Sequence, residues 1–76
     1  MKKEHIDNYR YLGLNIAYYR KSRGYSQNQL SEKVNISRTH MSRIETADCA
    51  VSLDIIFEIS KALEVPLKDL FDFRGK

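Results

Sequence analysis

Apolar side chains recur along this chain at three- and four-residue intervals, the spacing of helices rather than of strands. Leu12, Ile16 and Tyr19 share one face of a first segment, and Tyr9 extends it. That segment starts near Asp7 or Asn8, either of which can cap it, and runs to about Arg23. Gly24 follows the basic run Arg20-Lys21-Arg23, which suits a helix C-terminus both sterically and electrostatically. Leu30 and Val34 stand one turn apart on a second segment that opens at Ser26, with Gln29 placed to complete a capping box. Met41 and Ile44 mark a third segment capped by Ser37. Leu53, Ile56, Ile59 and Leu63 mark a fourth capped by Ser52, with Ile55 and Phe57 overflowing its stripe. Val65-Pro66 closes the fourth, and a last short helix falls within residues 66–73. One proline and three glycines argue against a β-rich fold. The pattern predicts an all-α fold of five helices in a single domain over residues 1–76, with residues 1–7 as a flexible N-terminal arm.

Residues 26–46 carry the most specific part of the pattern. The second and third segments are separated only by Asn35, Ile36 and Ser37, too few residues for anything but a sharp turn. Packed together, Leu30, Val34, Ile36, Met41 and Ile44 would lock the two segments at a steep angle and leave the outer face of the third free. That is a helix-turn-helix, whose second helix enters the major groove of DNA. On a helical wheel Arg38, Ser42, Thr46, Thr39 and Arg43 fall within an arc of about 140°, with Met41 and Ile44 on the opposite side.

The chain resembles the lambda-repressor and Cro-type helix-turn-helix family, also called Xre-like. The resemblance rests on the five apolar positions above. It extends through L-G-x-x-I-x-x-x-R (Leu12 to Arg20), G-Y-S-Q (Gly24 to Gln27) and the run from Ser52 to Phe71, so it covers most of the chain. Ser31 stands where the family has a small residue, usually Ala, and Asn35 stands at the turn glycine. Asn is the residue other than Gly that best tolerates a left-handed backbone.

The resemblance implies a lambda-repressor-like DNA-binding domain. By position, Arg38, Thr39 and Arg43 match the family's base-reading residues. Arginine can grip guanine O6 and N7 with two bonds, and threonine offers a hydroxyl and a methyl. Gln27 matches a phosphate-contacting residue at a helix start, and Ser37, His40, Ser42 and Thr46 fall where phosphate or flanking contacts are expected. Arg20 and Glu45 match an ion pair that ties the first helix to the third, a scaffold role. Leu67, Leu70, Phe71 and Phe73 lie where the family forms its two-fold dimer contact. The loop Ala47 to Val51 departs from the family, with Ala47 for a glycine, Asp48 for a basic or polar residue and Val51 for a proline. Asp48 makes phosphate contacts by this loop unfavourable. Within the family, the R-T-H-M-S-R-I-E run and the short length resemble the controller proteins of restriction–modification systems; phage repressors and antitoxins are alternatives.

Composition narrows the function further. The net charge of +3 is unevenly placed: residues 1–46 carry nine Lys/Arg against four Asp/Glu, and residues 47–76 carry four against six. A basic front suits a polyanionic partner, here double-stranded DNA. The five tyrosines invite a single-strand stacking interpretation, but helical spacing makes Tyr19 and Tyr25 core and the others amphipathic cover. The lone Cys49 cannot form an internal disulfide, which fits a cytoplasmic location. No apolar stretch approaches a membrane span. His5, His40 and Cys49 form neither a metal-ligand nor a nucleophile–base spacing, so catalytic residues, metal, cofactor and small-molecule ligand are all expected to be none. The leading expectation is a DNA-binding transcriptional regulator acting as a homodimer on an inverted repeat. A helical protein–protein adaptor is the alternative.

Overall fold

The computed structural model describes residues 1–75. Its helices are α1 (Ile6–Ser22), α2 (Gln27–Lys33), α3 (Arg38–Glu45), α4 (Leu53–Leu63) and α5 (Leu67–Leu70), with no strand among the described residues. The caps expected from the sequence form. Ser26 accepts from the Gln29 N–H at 3.0 Å while Gln29 Oε1 accepts from the Ser26 N–H at 2.8 Å, a complete capping box. Ser37 and Ser52 cap α3 and α4 through the N–H groups of His40 and Ile55.

The start of α1 differs from expectation. Neither Asp7 nor Asn8 caps it. A 3-10 turn over Lys3–His5 feeds directly into Ile6, so the chain is already helical within residues 1–7, where a loose arm was expected. Ile6 and Tyr9 are half-buried, and that anchorage carries the helix back beyond the polar residues that would have capped it.

Four helices end in the same way. Gly24, Asn35, Ala47 and Glu64 adopt left-handed φ angles of 77°, 58°, 60° and 56°. Each donates its N–H three residues back, and the residue after it donates five residues back: Tyr25 to Arg20, Ile36 to Ser31, Asp48 to Arg43 and Val65 to Ser60. This is the Schellman closure, in which the residue after the left-handed one usually packs against the last turn. Tyr25, Ile36 and Val65 do pack on the core. Asp48 is exposed.

The core is built from Leu12, Ile16, Leu30, Val34, Met41, Ile44, Ile56, Ile59, Leu63, Val65 and Leu70. Two apolar residues, Leu53 and Leu70, sit elsewhere than the sequence pattern predicts. Leu53, read as part of the α4 stripe, is 61% exposed, because it sits in the first turn, beyond the edge of the packed layer. Leu70, read as a dimer contact, is fully buried in the chain's own core. Its apolar side chain gains by that burial, and Asn15, a buried amide on α1, donates to the Leu70 carbonyl at 2.9 Å and to the Asp72 carbonyl at 3.0 Å. This latch holds the tail against α1. Phe73 is half-buried with its ring 5.6 Å from that of Tyr11, while Leu67 and Phe71 remain exposed.

Candidate nucleic-acid interface

Helix α3 has too few residues to persist alone, so its position depends on what holds its inner face. Met41 and Ile44 are buried against the core. Glu45 completes the inner face with a bidentate ion pair: Arg20 Nε to Oε2 at 2.7 Å and Nη2 to Oε1 at 3.1 Å. Both side chains are almost wholly withdrawn from solvent. The remaining donors are also directed. Arg20 Nη1 reaches the Tyr25 carbonyl at 2.8 Å, and Gln27 Nε2 donates to Glu45 Oε1 at 3.1 Å. One carboxylate therefore joins α1, the start of α2 and the end of α3, with its charge both paired and hydrogen-bonded, as burial demands.

Gly13 lets the backbones of α1 and α3 touch. A β-carbon placed there would lie 2.8 Å from the carbonyl oxygen of Ile44 and would overlap that of Glu45. A helix-interior glycine is less favourable than alanine by about 1 kcal/mol, and this close approach is the compensation.

With its inner face held, α3 presents Arg38, Thr39 and Arg43 to solvent. These three line a shallow depression together with Ser42 and Asp48. Neither the Arg38 nor the Arg43 guanidinium has an ion-pair or hydrogen-bond partner among the described residues. Each is a rigid fork of unsatisfied donors, suited to guanine edges or phosphate oxygens.

The flanking residues differ in what they have left to offer. The Ser37 oxygen accepts from the His40 N–H at 3.0 Å, so its own proton is free to donate. Gln27 uses one amide proton on Glu45 and keeps a second. His40 and Ser42 are half-buried. Thr46 is exposed, but its hydroxyl donates to the Ser42 carbonyl at 2.9 Å, so a phosphate contact would require it to give up that bond.

Several residues that position this face were not singled out from the sequence. Asn15 and Gly13 act through partners distant along the chain. Arg23, read only as part of a basic helix end, donates from Nε to the Leu63 carbonyl at 2.8 Å and ties α1 to the end of α4. A glycine inside a helical pattern was the available signal for Gly13; nothing local marks Asn15.

A helix-turn-helix with its third helix braced from behind and its outer face free defines the class. The family model described as helix-turn-helix matches residues 16–70, and the chain belongs to that DNA-binding family of transcriptional regulators, of the Xre and Cro/C1 type. Among curated proteins, it is 50% identical over 48 residues to the control protein C.BamHI of Bacillus amyloliquefaciens, covering 63% of this chain and 59% of that one. Among solved structures, it is similar to the restriction-modification controller protein C.AhdI from Aeromonas hydrophila, with a TM-score of 0.82 and 25% identity, covering 86% of this chain and 98% of that one. It is also similar to the Bacillus subtilis biofilm regulator SinR in complex with DNA, with a TM-score of 0.74 and 32% identity, covering 80% and 98% of the two chains. The chain spans about half the length of the curated relatives it matches. No helix of the described residues is long and apolar enough to cross a membrane.

Proposed function

We propose that this chain is a sequence-specific, double-stranded DNA-binding transcriptional regulator that reads bases with α3 and acts as a homodimer on an inverted repeat. The observation that carries this reading is the pair of arginines, Arg38 and Arg43, on the face of α3 that the core leaves free, neither with a partner among the described residues. Arg38, Thr39 and Arg43 contact base edges. Gln27 and Ser37, at the first turns of α2 and α3, contact phosphates, with His40 and Ser42 at the flank.

The dimer reading rests on an apolar groove of about 460 Å³ that includes Tyr9, Leu12, Leu53, Ile56, Phe71 and Phe73 in its walls. Leu53, Phe57, Leu67 and Phe71 are all exposed, a dense apolar display for so small a domain. Of the tail residues first assigned to the contact, Leu67, Phe71 and Phe73 keep that role, joined by Leu53 and Phe57. Two recognition helices related by a two-fold read two half-sites when they lie about 34 Å apart, one DNA turn, and this is the spacing the dimer has to supply. The C.BamHI and C.AhdI likenesses favour the controller class within the family.

Selection of bound duplexes from a random pool tests the reading directly. A symmetric pair of half-sites with binding that falls steeply as salt rises is the expected result. Binding to no duplex in preference to another would overturn it. Sedimentation of a Phe71→Glu variant, expected at monomer mass, tests the interface.

A further inference from the structure

The carboxylate of Asp48 stands on a surface where phosphates would repel it, and no partner among the described residues explains it. The four helix closures described above share one backbone geometry. At the three others the equivalent residue (Tyr25, Ile36 or Val65) packs on the core. Asp48 forgoes that contact, and its side chain has no hydrogen-bond or ion-pair partner among the described residues. Its place is nonetheless fixed: its N–H donates to the Arg43 carbonyl at 2.8 Å, behind the left-handed Ala47. It thereby lines the same depression as Arg38, Thr39, Ser42 and Arg43.

A carboxylate is an acceptor only. Phosphates, guanine O6 and N7, and thymine O4 are acceptors too, and all of them disfavour it. The complementary groups in the major groove are exocyclic amines, with cytosine N4 the usual partner of an acidic side chain. From this geometry we propose that Asp48 is a specificity-determining residue that accepts a hydrogen bond from the N4 amine of a cytosine next to the base held by Arg43. Its charge also weakens attachment to duplexes that lack that cytosine, so it sharpens selectivity in two ways. This inference rests on the DNA-binding reading above.

The test is selection from a random duplex pool at one salt concentration, with the wild-type chain, Asp48→Ala and Asp48→Asn. Wild type is expected to enrich cytosine at one position of each half-site. Asp48→Ala should lower that enrichment by about fivefold, the low end for loss of one base contact, leave neighbouring positions unchanged and bind unrelated DNA more tightly. Asp48→Asn should move the preference toward adenine, whose N6 and N7 match an amide. Because residue 48 is exposed, both variants should keep the wild-type unfolding midpoint, and the cytosine-to-adenine change is a gain that misfolding cannot imitate. If both variants select the same bases as wild type, even with uniformly tighter binding, the inference is overturned while the DNA-binding reading stands. If wild type selects no sequence at all, the DNA-binding reading itself falls.

Discussion

Gly13 and Glu45 meet backbone to backbone. The α-carbon of Gly13 in α1 lies so close to the Glu45 carbonyl that no β-carbon fits between them. The same Glu45 sends its side chain to Arg20, two turns further along α1. Helix α3 is thus held to α1 at two points by one of its own residues, once through main chain and once through charge.

Gly13→Ala is therefore expected to push α3 off α1. The obstructing atoms are backbone and cannot swing aside, so the loss of stability should reach about 2–3 kcal/mol, the upper part of the range for overpacking. Urea unfolding followed by circular dichroism measures it, and a midpoint equal to wild type would contradict the close approach.

Glu45→Ala leaves the Arg20 guanidinium buried and unpaired, and a loss of about 3–5 kcal/mol is expected. That is a large share of what a domain of this size has. Replacing both residues with apolar ones, Arg20→Met with Glu45→Leu, should recover most of the loss, because no stranded charge remains. Thermal unfolding of wild type and the two variants decides between a pair that stabilises the fold and one that chiefly orients α3.

Arg38→Ala and Arg43→Ala should behave in the opposite way. Each side chain is exposed and has no partner among the described residues, so melting temperatures should stay near wild type. Specific DNA binding should weaken by about 1–3 kcal/mol per substitution. Titration of a selected duplex by fluorescence anisotropy measures this, and wild-type affinity in both variants would remove α3 as the reader.

Gln27→Ala is expected to weaken binding evenly across sequences rather than to change base preference, since its free amide proton is available to a phosphate. It should also lower stability modestly, by about 1.5–3 kcal/mol, through the lost bond to the Glu45 carboxylate. A changed base preference in parallel selections would contradict the phosphate role.

Ala47 holds a left-handed backbone at φ 60° where glycine would be unstrained. Ala47→Gly should raise stability by about 0.5–1 kcal/mol, the relief of strain exceeding the added freedom of the unfolded chain. A lower unfolding midpoint would mean that the Ala47 methyl is supported by packing.

The turn between α2 and α3 was legible in the sequence because its determinants are local. Leu30, Val34, Ile36, Met41 and Ile44 lie within fifteen residues, and the capping serines announce each helix start. Asn35 in the left-handed region follows from the same short-range chemistry. What escaped reading depends on contacts far apart in the chain. Leu70 belongs to a run of apolar residues that local pattern cannot orient, and the tail that carries it is held by an amide 55 residues earlier, Asn15. The N-terminal turn was missed because Lys3, Glu4 and His5 are polar, whereas the force ordering them comes from Ile6 and Tyr9. Asp48 is out of place in the sequence pattern, but only the fold reveals that the Schellman closure sets it in the depression that Arg38 and Arg43 also line.

The Asn15 latch also bears on geometry at a larger scale. Along a single rod, Asn15 fastens the apolar tail while Gly13 and Arg20 fasten α3. If two copies join through that tail, α1 acts as the gauge bar of the assembly, and its rigidity sets the phase between the operator's two halves. Loosening the latch at Asn15 would then blur the permitted spacing of half-sites before it altered which bases either half prefers.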